Sequence, residues 1–313
     1  MSRHPLRVTV AVTAVTATCA ASLWVAGWQD GPRQPGTIAA RPVTEPSPSR
    51  EPPVPRANPP LTAQPSDPRQ PAPMPPPDGP VPGAPAPQPA PEFLSWAIMD
   101  LPSGTIAGSD NLAATSTTAS MIKVWLVADL LRRHIATGDD PSPQRLGQLS
   151  LIVRDSDNEL TNELFDELGR HASIERLITT CGLTDAAAVP DSWSNTLVSA
   201  RDAARIGACL ADGTALAGDQ RWTAWLLDEM RAVRGLGDFG IRHALPAADR
   251  PSVAIKNGWV DRTAEQSWHV SCLAVGDGWT MAVLTRYPLP LAFEHGAGLC
   301  RSTAERHLLP RLG

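Results

Sequence analysis

Lysine is rare in this chain, and both of its lysines stand where an amine could take part in proton transfer. Of the 27 basic residues among 313, only Lys123 and Lys256 are lysines, and the other 25 are Arg. Burial can lower the pKa of a lysine until the neutral amine acts as a base, whereas a guanidinium stays charged. A catalytic use of both lysines and a codon bias towards Arg fit this composition equally, so the neighbouring residues must decide.

Ser120 precedes Lys123 by three residues, at the start of an apolar pattern that predicts a buried helix. Residues three apart lie on one face of a helix, so the hydroxyl and the amine should be neighbours. A serine hydroxyl becomes a nucleophile when a base takes its proton, and a desolvated lysine can be that base. The pair also fits an ordinary hydroxyl at a helix start beside a surface lysine, and it needs further motifs to support it.

Two further motifs supply that support. Ser156 and Asn158 belong to a Ser-Asp-Asn sequence before a helical pattern, and Lys256 opens a Lys-Asn-Gly sequence within a strand pattern. Ser-x-x-Lys, Ser-Asp-Asn and Lys-Thr-Gly, in this order, are signatures of the serine β-lactamase and penicillin-binding superfamily. The region that carries them therefore resembles that superfamily, and class A β-lactamases most closely.

The resemblance implies a serine hydrolase that needs no cofactor or metal and forms an acyl-enzyme on Ser120. Its substrate would be an amide, a β-lactam or a small peptidoglycan-derived molecule. Lys123 would accept the proton of Ser120, and Ser156, assisted by Lys256, would pass a proton to the leaving nitrogen. Asn158 would hold Lys123 and a side-chain amide of the substrate.

The third motif departs from the family pattern. Asn257 replaces the usual hydroxyl residue, and Trp259 follows Gly258 where a small or hydroxyl residue is common. The resemblance places all three in the substrate site, with Gly258 admitting substrate close to the strand and the Trp259 N–H in the oxyanion hole. Because the usual hydroxyls help to bind a substrate carboxylate, β-lactam recognition should be weakened. Arg234 or Arg262 could bind the carboxylate instead, or could be solvated surface residues.

The loop that supports deacylation in class A enzymes is shortened here. Those enzymes use a glutamate to activate the hydrolytic water, and Asp191 with Asn195 keeps an acid-x-x-x-Asn spacing. Asp191 is therefore a candidate for deacylation, although a turn residue after Pro190 explains it as well. We favour an acylating serine hydrolase. A working class A β-lactamase that uses Asp191 and a catalytically silent cell-wall binding protein are the alternatives.

The order of patterns along residues 92–313 predicts one α/β (α+β) domain. Two strands fall within 93–108, helices fill 121–233, three strands fall within 253–287, and a helix is expected near 298–309. The simplest closure is an antiparallel five-stranded sheet that joins both ends of the domain, flanked by helices and carrying an all-helical subdomain.

The first 91 residues are predicted to lie outside this domain. Basic residues precede a nearly uncharged run at 8–28, so residues 1–31 are expected to be a signal peptide or a signal anchor. A lipid on Cys19 is a weaker alternative because the preceding residues match a lipobox poorly. Residues 32–91 contain 23 Pro among 60 and predict a disordered spacer. The domain should be extracytoplasmic, either secreted or anchored to the membrane through 8–28.

Charge and cysteine content restrict the partners. Residues 1–91 carry seven Arg and five acidic residues, which leaves about −7 of the net charge of −5 on the domain. An acidic domain argues against nucleic acid as a partner, and we expect a monomer. Its four cysteines predict two disulfides. The sequence does not choose among three pairings, of which we favour Cys181–Cys209 with Cys272–Cys300. No Cys or His spacing predicts a metal site.

Overall fold

The computed structural model describes residues 93–312, so the predicted signal segment and Pro-rich spacer lie outside the described residues. None of the helices in 93–312 is long and apolar enough to cross a membrane. The strands are β1 (Phe93–Asp100), β2 (Ile106–Gly108), β3 (Thr115–Thr117), β4 (Leu197–Ser199), β5 (Ala254–Ile255), β6 (Gly258–Arg262), β7 (Ser267–Gly276) and β8 (Trp279–Pro288). The helices are α1 (Lys123–Thr137), α2 (Pro143–Arg154), α3 (Asn158–Glu167), α4 (His171–Thr180), α5 (Ala200–Ala211), α6 (Gln220–Arg231), α7 (Ala292–His307) and α8 (Leu309–Leu312).

Both ends of the domain meet in one antiparallel sheet, as predicted. The strand order is β2-β1-β8-β7, and β5 and β6 share the last position beside β7. The register is continuous across them, because Ile255 pairs with Ala274 and Gly258 pairs with Ser271. The predicted third strand is therefore one edge strand that is interrupted only at Lys256 and the residue after it. The fifth position of the predicted sheet is filled by two short strands.

Helices cover both faces of this sheet. In α5, a Cβ added to Gly207 would lie 2.5 Å from Thr280 Oγ1, and in α7 a Cβ added to Gly296 would lie 2.6 Å from the Tyr287 ring. Thr280 and Tyr287 are seven residues apart on β8, and residues at an odd separation point to opposite faces of a strand. The sheet is thus enclosed between α5 and α7, which keeps its centre dry.

The last long helix begins earlier than the sequence predicts, at Ala292 rather than near residue 298. Gly296 and Gly298 lower the helix propensity of its first turns, which hides the start of the helix in the sequence. Gly296 is nevertheless needed, because the helix backbone packs directly on Tyr287. Close packing here takes precedence over local propensity.

Helix α1 is the centre of the helical subdomain. Every residue from Lys123 to Leu131 is buried, including Trp125, which is completely enclosed. A helix that is buried on all sides is surrounded by other elements rather than lying on a surface; α1 is in contact with α2, α3, α4 and α6. Helix α1 therefore begins in the protein interior, at Lys123, and this placement buries the lysine amine.

A small two-stranded sheet, which the sequence does not predict, supports the segment before α1. Strands β3 and β4 are three residues each and antiparallel, and the Thr118 N–H donates to the Thr196 carbonyl at 2.9 Å just beyond them. Strands this short leave almost no periodic signal in a sequence.

Two disulfides form in the favoured pairing. Cys181–Cys209 joins the end of α4 to α5, and Cys272–Cys300 joins β7 to α7. Both bridges span a sequence separation of 28 residues. The second bridge is completely buried, whereas Cys181 is partly exposed.

We expect removal of either bridge by a double Cys→Ala substitution to lower the free energy of unfolding by about 3–4 kcal/mol. The two disulfides close loops of equal length, so their chain-entropy contributions to stability are equal. Removal of the buried Cys272–Cys300 bridge should lower the free energy of unfolding by about 1 kcal/mol more, because it leaves a cavity. Urea unfolding of the two double variants measures this difference. Equal losses, or a larger loss for Cys181–Cys209, would contradict it.

Candidate active site

Ser120 lies on a short 3-10 helix, Ala119–Ile122, that continues directly into α1. Ala119, immediately before it, has φ of 44°, in the left-handed region that residues other than glycine rarely adopt. Such backbone strain persists only where the surroundings enforce it, and it often marks functional sites. Here the Ser271 hydroxyl holds the preceding strand by donating to the Thr117 carbonyl at 2.8 Å. Ser120 itself is half-buried and lines a surface cleft.

The amine of Lys123 is completely buried and surrounded by oxygen atoms. It donates to the Ser156 carbonyl at 2.6 Å, to Asn158 Oδ1 at 2.7 Å and to the Asp157 carbonyl at 3.2 Å. These three acceptors match the three N–H groups of an ammonium. A neutral amine would keep two of these bonds and present its lone pair, so the site accommodates both protonation states.

The Ser156 hydroxyl lies between the two lysines. Its oxygen is 3.0 Å from Lys256 Nζ and 3.3 Å from Lys123 Nζ. Ser156 adopts φ of 61°, which places its hydroxyl and its carbonyl at the same amine. The structure therefore brings together the four residues that the sequence assigned to catalysis: Ser120, Lys123, Ser156 and Lys256.

Burial makes both lysines weak bases. It lowers the pKa of Lys123 to about 7, partly offset by the negative charge of Asp157. Burial also lowers the pKa of Lys256 well below its usual value, and the positive charge of nearby Lys123 adds to that shift. A lysine with a pKa near 7 can accept and return a proton at neutral pH. The geometry supports proton exchange among the two amines and the Ser156 hydroxyl.

The start of α3 positions the Ser-Asp-Asn motif. The Asp157 side chain caps the helix by accepting from the Leu160 N–H at 2.9 Å, and Asn158 is the first helical residue. Asn158 holds Lys123 through its amide oxygen and lines the cleft. Asp157 thus has a structural role, whereas Ser156 and Asn158 face Lys123.

The side chain of Asn257 does not line the cleft, where the sequence predicts it. Its side chain is buried and donates to the Gly237 carbonyl at 3.0 Å and to the Phe239 carbonyl at 2.8 Å. Because the amide is committed to the protein interior, we correct its role from substrate binding to holding the segment that forms one wall of the cleft. A primary amide has two N–H donors and can join two carbonyls in this way, which a hydroxyl cannot.

Gly258 is required by the protein itself. A Cβ at this position would lie 2.4 Å from the Thr118 carbonyl oxygen and 2.5 Å from the Ser120 nitrogen. The edge strand therefore lies directly against the turn that carries Ser120. We expected this glycine to give room to the substrate; in the structure it gives room to the backbone of the candidate nucleophile.

The cleft has a volume of about 280 Å³ and combines apolar and charged walls. Trp259 and Leu236 are apolar lining residues, and Leu236 is 75% exposed. Arg234 forms a bidentate ion pair with Asp155 at 2.7 and 2.8 Å, and both residues line the cleft. The hydrogen bond from Arg234 holds the pKa of Asp155 below its usual range. Arg234 is exposed but already paired with a carboxylate.

The loop that carries Asp191 lies beside Lys123. Asp191 is exposed and forms an ion pair with Arg170 at 3.1 Å, in a surface depression separate from the Ser120 cleft. Asn195 accepts from Arg262 at 2.5 Å, and Arg262 is mostly buried rather than solvated. From this loop, the side chain over Lys123 is Trp193, whose ring centre lies 4.8 Å from the amine.

Sequence reasoning missed Trp193 and the Arg234–Asp155 ion pair. Asp155 directly precedes the Ser-Asp-Asn motif, and that position is a signal by which the sequence could identify it. Nothing in the sequence pairs it with an arginine 79 residues away. Within 93–312, no three His, Cys, Asp or Glu side chains are arranged to hold a metal.

Comparison with known structures identifies the fold. A class A β-lactamase from Mycobacterium abscessus superposes with a TM-score of 0.55 over 71% of this chain and 94% of its own, at 17% identity. A β-lactamase from Chitinophaga pinensis superposes with a TM-score of 0.56 over the same shares, at 18% identity. The chain has the serine β-lactamase-like fold, as the motifs predicted.

Comparison with curated sequences finds mycobacterial relatives. A protein of Mycobacterium tuberculosis named "Putative lipoprotein LppW" is 26% identical over 186 residues, and so is its counterpart in Mycobacterium bovis. The match covers 58% of this chain and 59% of the relative, so the chain spans less than two thirds of the relatives it matches. No family model matches the chain.

The two lysines allow a direct test of the pKa values. Lysine labelled with ¹³C at Cε should give two lysine signals in an NMR titration, and that of Lys123 should titrate with a midpoint near 7. The Lys256 signal should titrate below the usual range because burial and Lys123 both oppose its charge. In urea both should return to about 10.4. A folded-state midpoint near 10 for Lys123 would contradict the buried amine.

Gly258→Ala should destabilise the protein by about 1–3 kcal/mol, since the added carbon meets backbone atoms that cannot rotate away. The matched control is Gly298→Ala in α7, where an added Cβ meets nothing within 4 Å. That change should be neutral, or stabilising by about 0.5–1 kcal/mol through helix propensity. Urea unfolding measures both variants, and equal stabilities would show that the edge strand does not pack closely on the Ser120 turn.

Proposed function

We propose that this protein is an extracytoplasmic serine hydrolase that forms an acyl-enzyme at Ser120. The observation that carries the proposal is the Ser156 hydroxyl held between two buried lysine amines at the base of the Ser120 cleft. A binding protein gains nothing from burying two amines that repel each other, whereas acyl transfer needs groups that exchange protons near neutral pH.

The proposed acylation step uses these residues in turn. Ser120 Oγ attacks the substrate carbonyl while its proton passes to the neutral Lys123 amine. The backbone N–H groups of Ser120 and Trp259 stabilise the oxygen that becomes negative. The proton then reaches the leaving nitrogen through the Ser156 hydroxyl, which Lys256 polarises. The bond between the carbonyl carbon and nitrogen breaks, leaving an ester on Ser120 and a free amine.

The cleft supports a small amide, β-lactam or peptidoglycan-derived substrate. Its volume of about 280 Å³ accommodates a small ligand rather than a folded protein. Asn158 would bind a substrate amide, and Trp259 with Leu236 would contact an apolar group. A substrate carboxylate would find no hydroxyl at Asn257 and would have to compete with Asp155 for Arg234.

Export is supported by two observations. Two disulfides join elements of the domain, and such bridges persist in oxidising compartments. The relative LppW is named a putative lipoprotein, which is a class of protein attached outside the cytoplasmic membrane. We propose that the N-terminal segment, with residues 8–28, delivers the domain there as a monomer, and that the Pro-rich stretch is its spacer.

Two alternatives have weaker support. A working class A β-lactamase would need Asp191 to activate water, yet that carboxylate is paired with Arg170. A silent cell-wall binding protein would explain the changed third motif, because Asn257 is turned away from the cleft. It does not explain the two buried lysines.

We expect a fluorescent penicillin to label the protein covalently at Ser120 and to leave Ser120→Ala unlabelled. The labelling rate should rise with pH through about 7, because Lys123 must be neutral to accept the proton. Gel fluorescence and peptide mass spectrometry measure the extent and the site of labelling.

The control is Ser194→Ala, which removes a hydroxyl on the neighbouring loop and should leave labelling unchanged. An adduct that lasts for hours would favour the acylating hydrolase, and turnover within seconds that is lost in Asp191→Asn would favour the β-lactamase alternative. Absence of labelling at high penicillin concentration and long times would contradict the prediction that the protein recognises penicillin.

A further inference from the structure

Trp193 covers the amine that would otherwise meet solvent beside Ser120. Lys123 exposes none of its surface, and its nitrogen lies 4.8 Å from the centre of the indole ring. The indole Nε1–H donates to Asn162 Oδ1 at 2.8 Å, which ties the ring to α3. The ring is thus a flat apolar cover that is fixed at its edge.

The polar side chains of the loop 191–195 contact residues other than Lys123. The Asp191 carboxylate pairs with Arg170, and the Asn195 amide oxygen accepts from Arg262 at 2.5 Å. The two serine hydroxyls of the loop lie 3.3 Å from each other and form one hydrogen bond. The side chain of this loop that lies over Lys123 is the indole, so a water molecule approaching the amine from the loop would meet an aromatic ring.

We propose that Trp193 is a water gate that keeps solvent from the Lys123 side of Ser120 and thereby prolongs the acyl-enzyme. This inference rests on the proposed function. Hydrolysis requires water to add to the ester carbonyl, the bond from carbon to Ser120 Oγ to break, and the water proton to reach that oxygen. The amine that could take and return this proton lies under the indole. Excluding water from a reactive intermediate is a known consequence of closing a site.

The cover can be tested without any acyl-enzyme. Reductive methylation with formaldehyde and a borane reductant modifies exposed amines, and mass spectrometry of the Lys123 peptide gives its rate. Trp193→Ala should raise that rate about tenfold or more by opening the amine to solvent. Trp193→Phe keeps an aromatic ring, so its methylation rate should stay close to that of the wild-type protein. Trp225→Ala, at a half-buried Trp in α6, is the matched control and should leave the rate unchanged.

The gate can then be tested on the adduct. The penicilloyl ester on Ser120 should be lost about tenfold faster or more in Trp193→Ala, because water reaches the ester. Asn162→Ala, which frees the indole without removing it, should give an intermediate lifetime, and Trp225→Ala should match the unmodified protein. Circular dichroism of each variant confirms that it is folded. If Trp193→Ala does not fold, a faster loss of the adduct in Asn162→Ala than in the wild-type protein tests the gate, and an unchanged loss overturns it.

The outcomes separate the two proposals. An unchanged methylation rate in Trp193→Ala, or an unchanged adduct lifetime with an exposed amine, would overturn the gate. If Trp193→Ala exposes Lys123 but no protein forms an adduct, penicillin recognition fails, while Trp193 is supported as the barrier between solvent and the amine.

Discussion

Two buried lysine amines share one serine hydroxyl, and the architecture around Ser120 depends on keeping them there. Their described partners are neutral oxygens: carbonyls, an amide and the hydroxyl of Ser156. Removing an ammonium from water without a paired carboxylate is costly, so the amines respond by giving up protons. The charge of Lys123 also opposes protonation of Lys256. The low pKa of Lys123 is therefore a consequence of placement rather than of residue type.

That placement is achieved by elements from distant parts of the chain. Helix α1 begins inside the domain, so Lys123 is enclosed from its backbone outward. The edge strand brings Lys256 to the opposite side, and Gly258 allows that strand to lie against the Ser120 turn. Helices α5 and α7 cover the sheet on both faces and are tied to the fold by one disulfide each. The catalytic proposal thus rests on the packing of the whole domain.

The two sides of the site around Ser120 differ in the groups that they present. In the proposed function, the groups around Ser120, Lys123 and Ser156 serve acylation, whereas the side that would bring water to an ester presents Trp193. The changed third motif fits the same pattern, because Asn257 supports the cleft wall and leaves the substrate side to Trp259 and Leu236. This asymmetry is the physical basis for proposing an enzyme that is acylated readily and releases its product slowly.

The sequence by itself determined the fold class, the order of the elements and the three motifs, because burial periodicity and the motif residues are local features. It also favoured the disulfide pairing that forms, without being able to choose it. Only the tertiary structure decided which way side chains turn and what they meet. The Asn257 amide faces inward and donates to the carbonyls of Gly237 and Phe239. Gly258 packs against the backbone of Ser120, 138 residues earlier in the chain. Trp193 covers the amine of Lys123, 70 residues away. Such contacts depend on packing between elements, which no local pattern encodes.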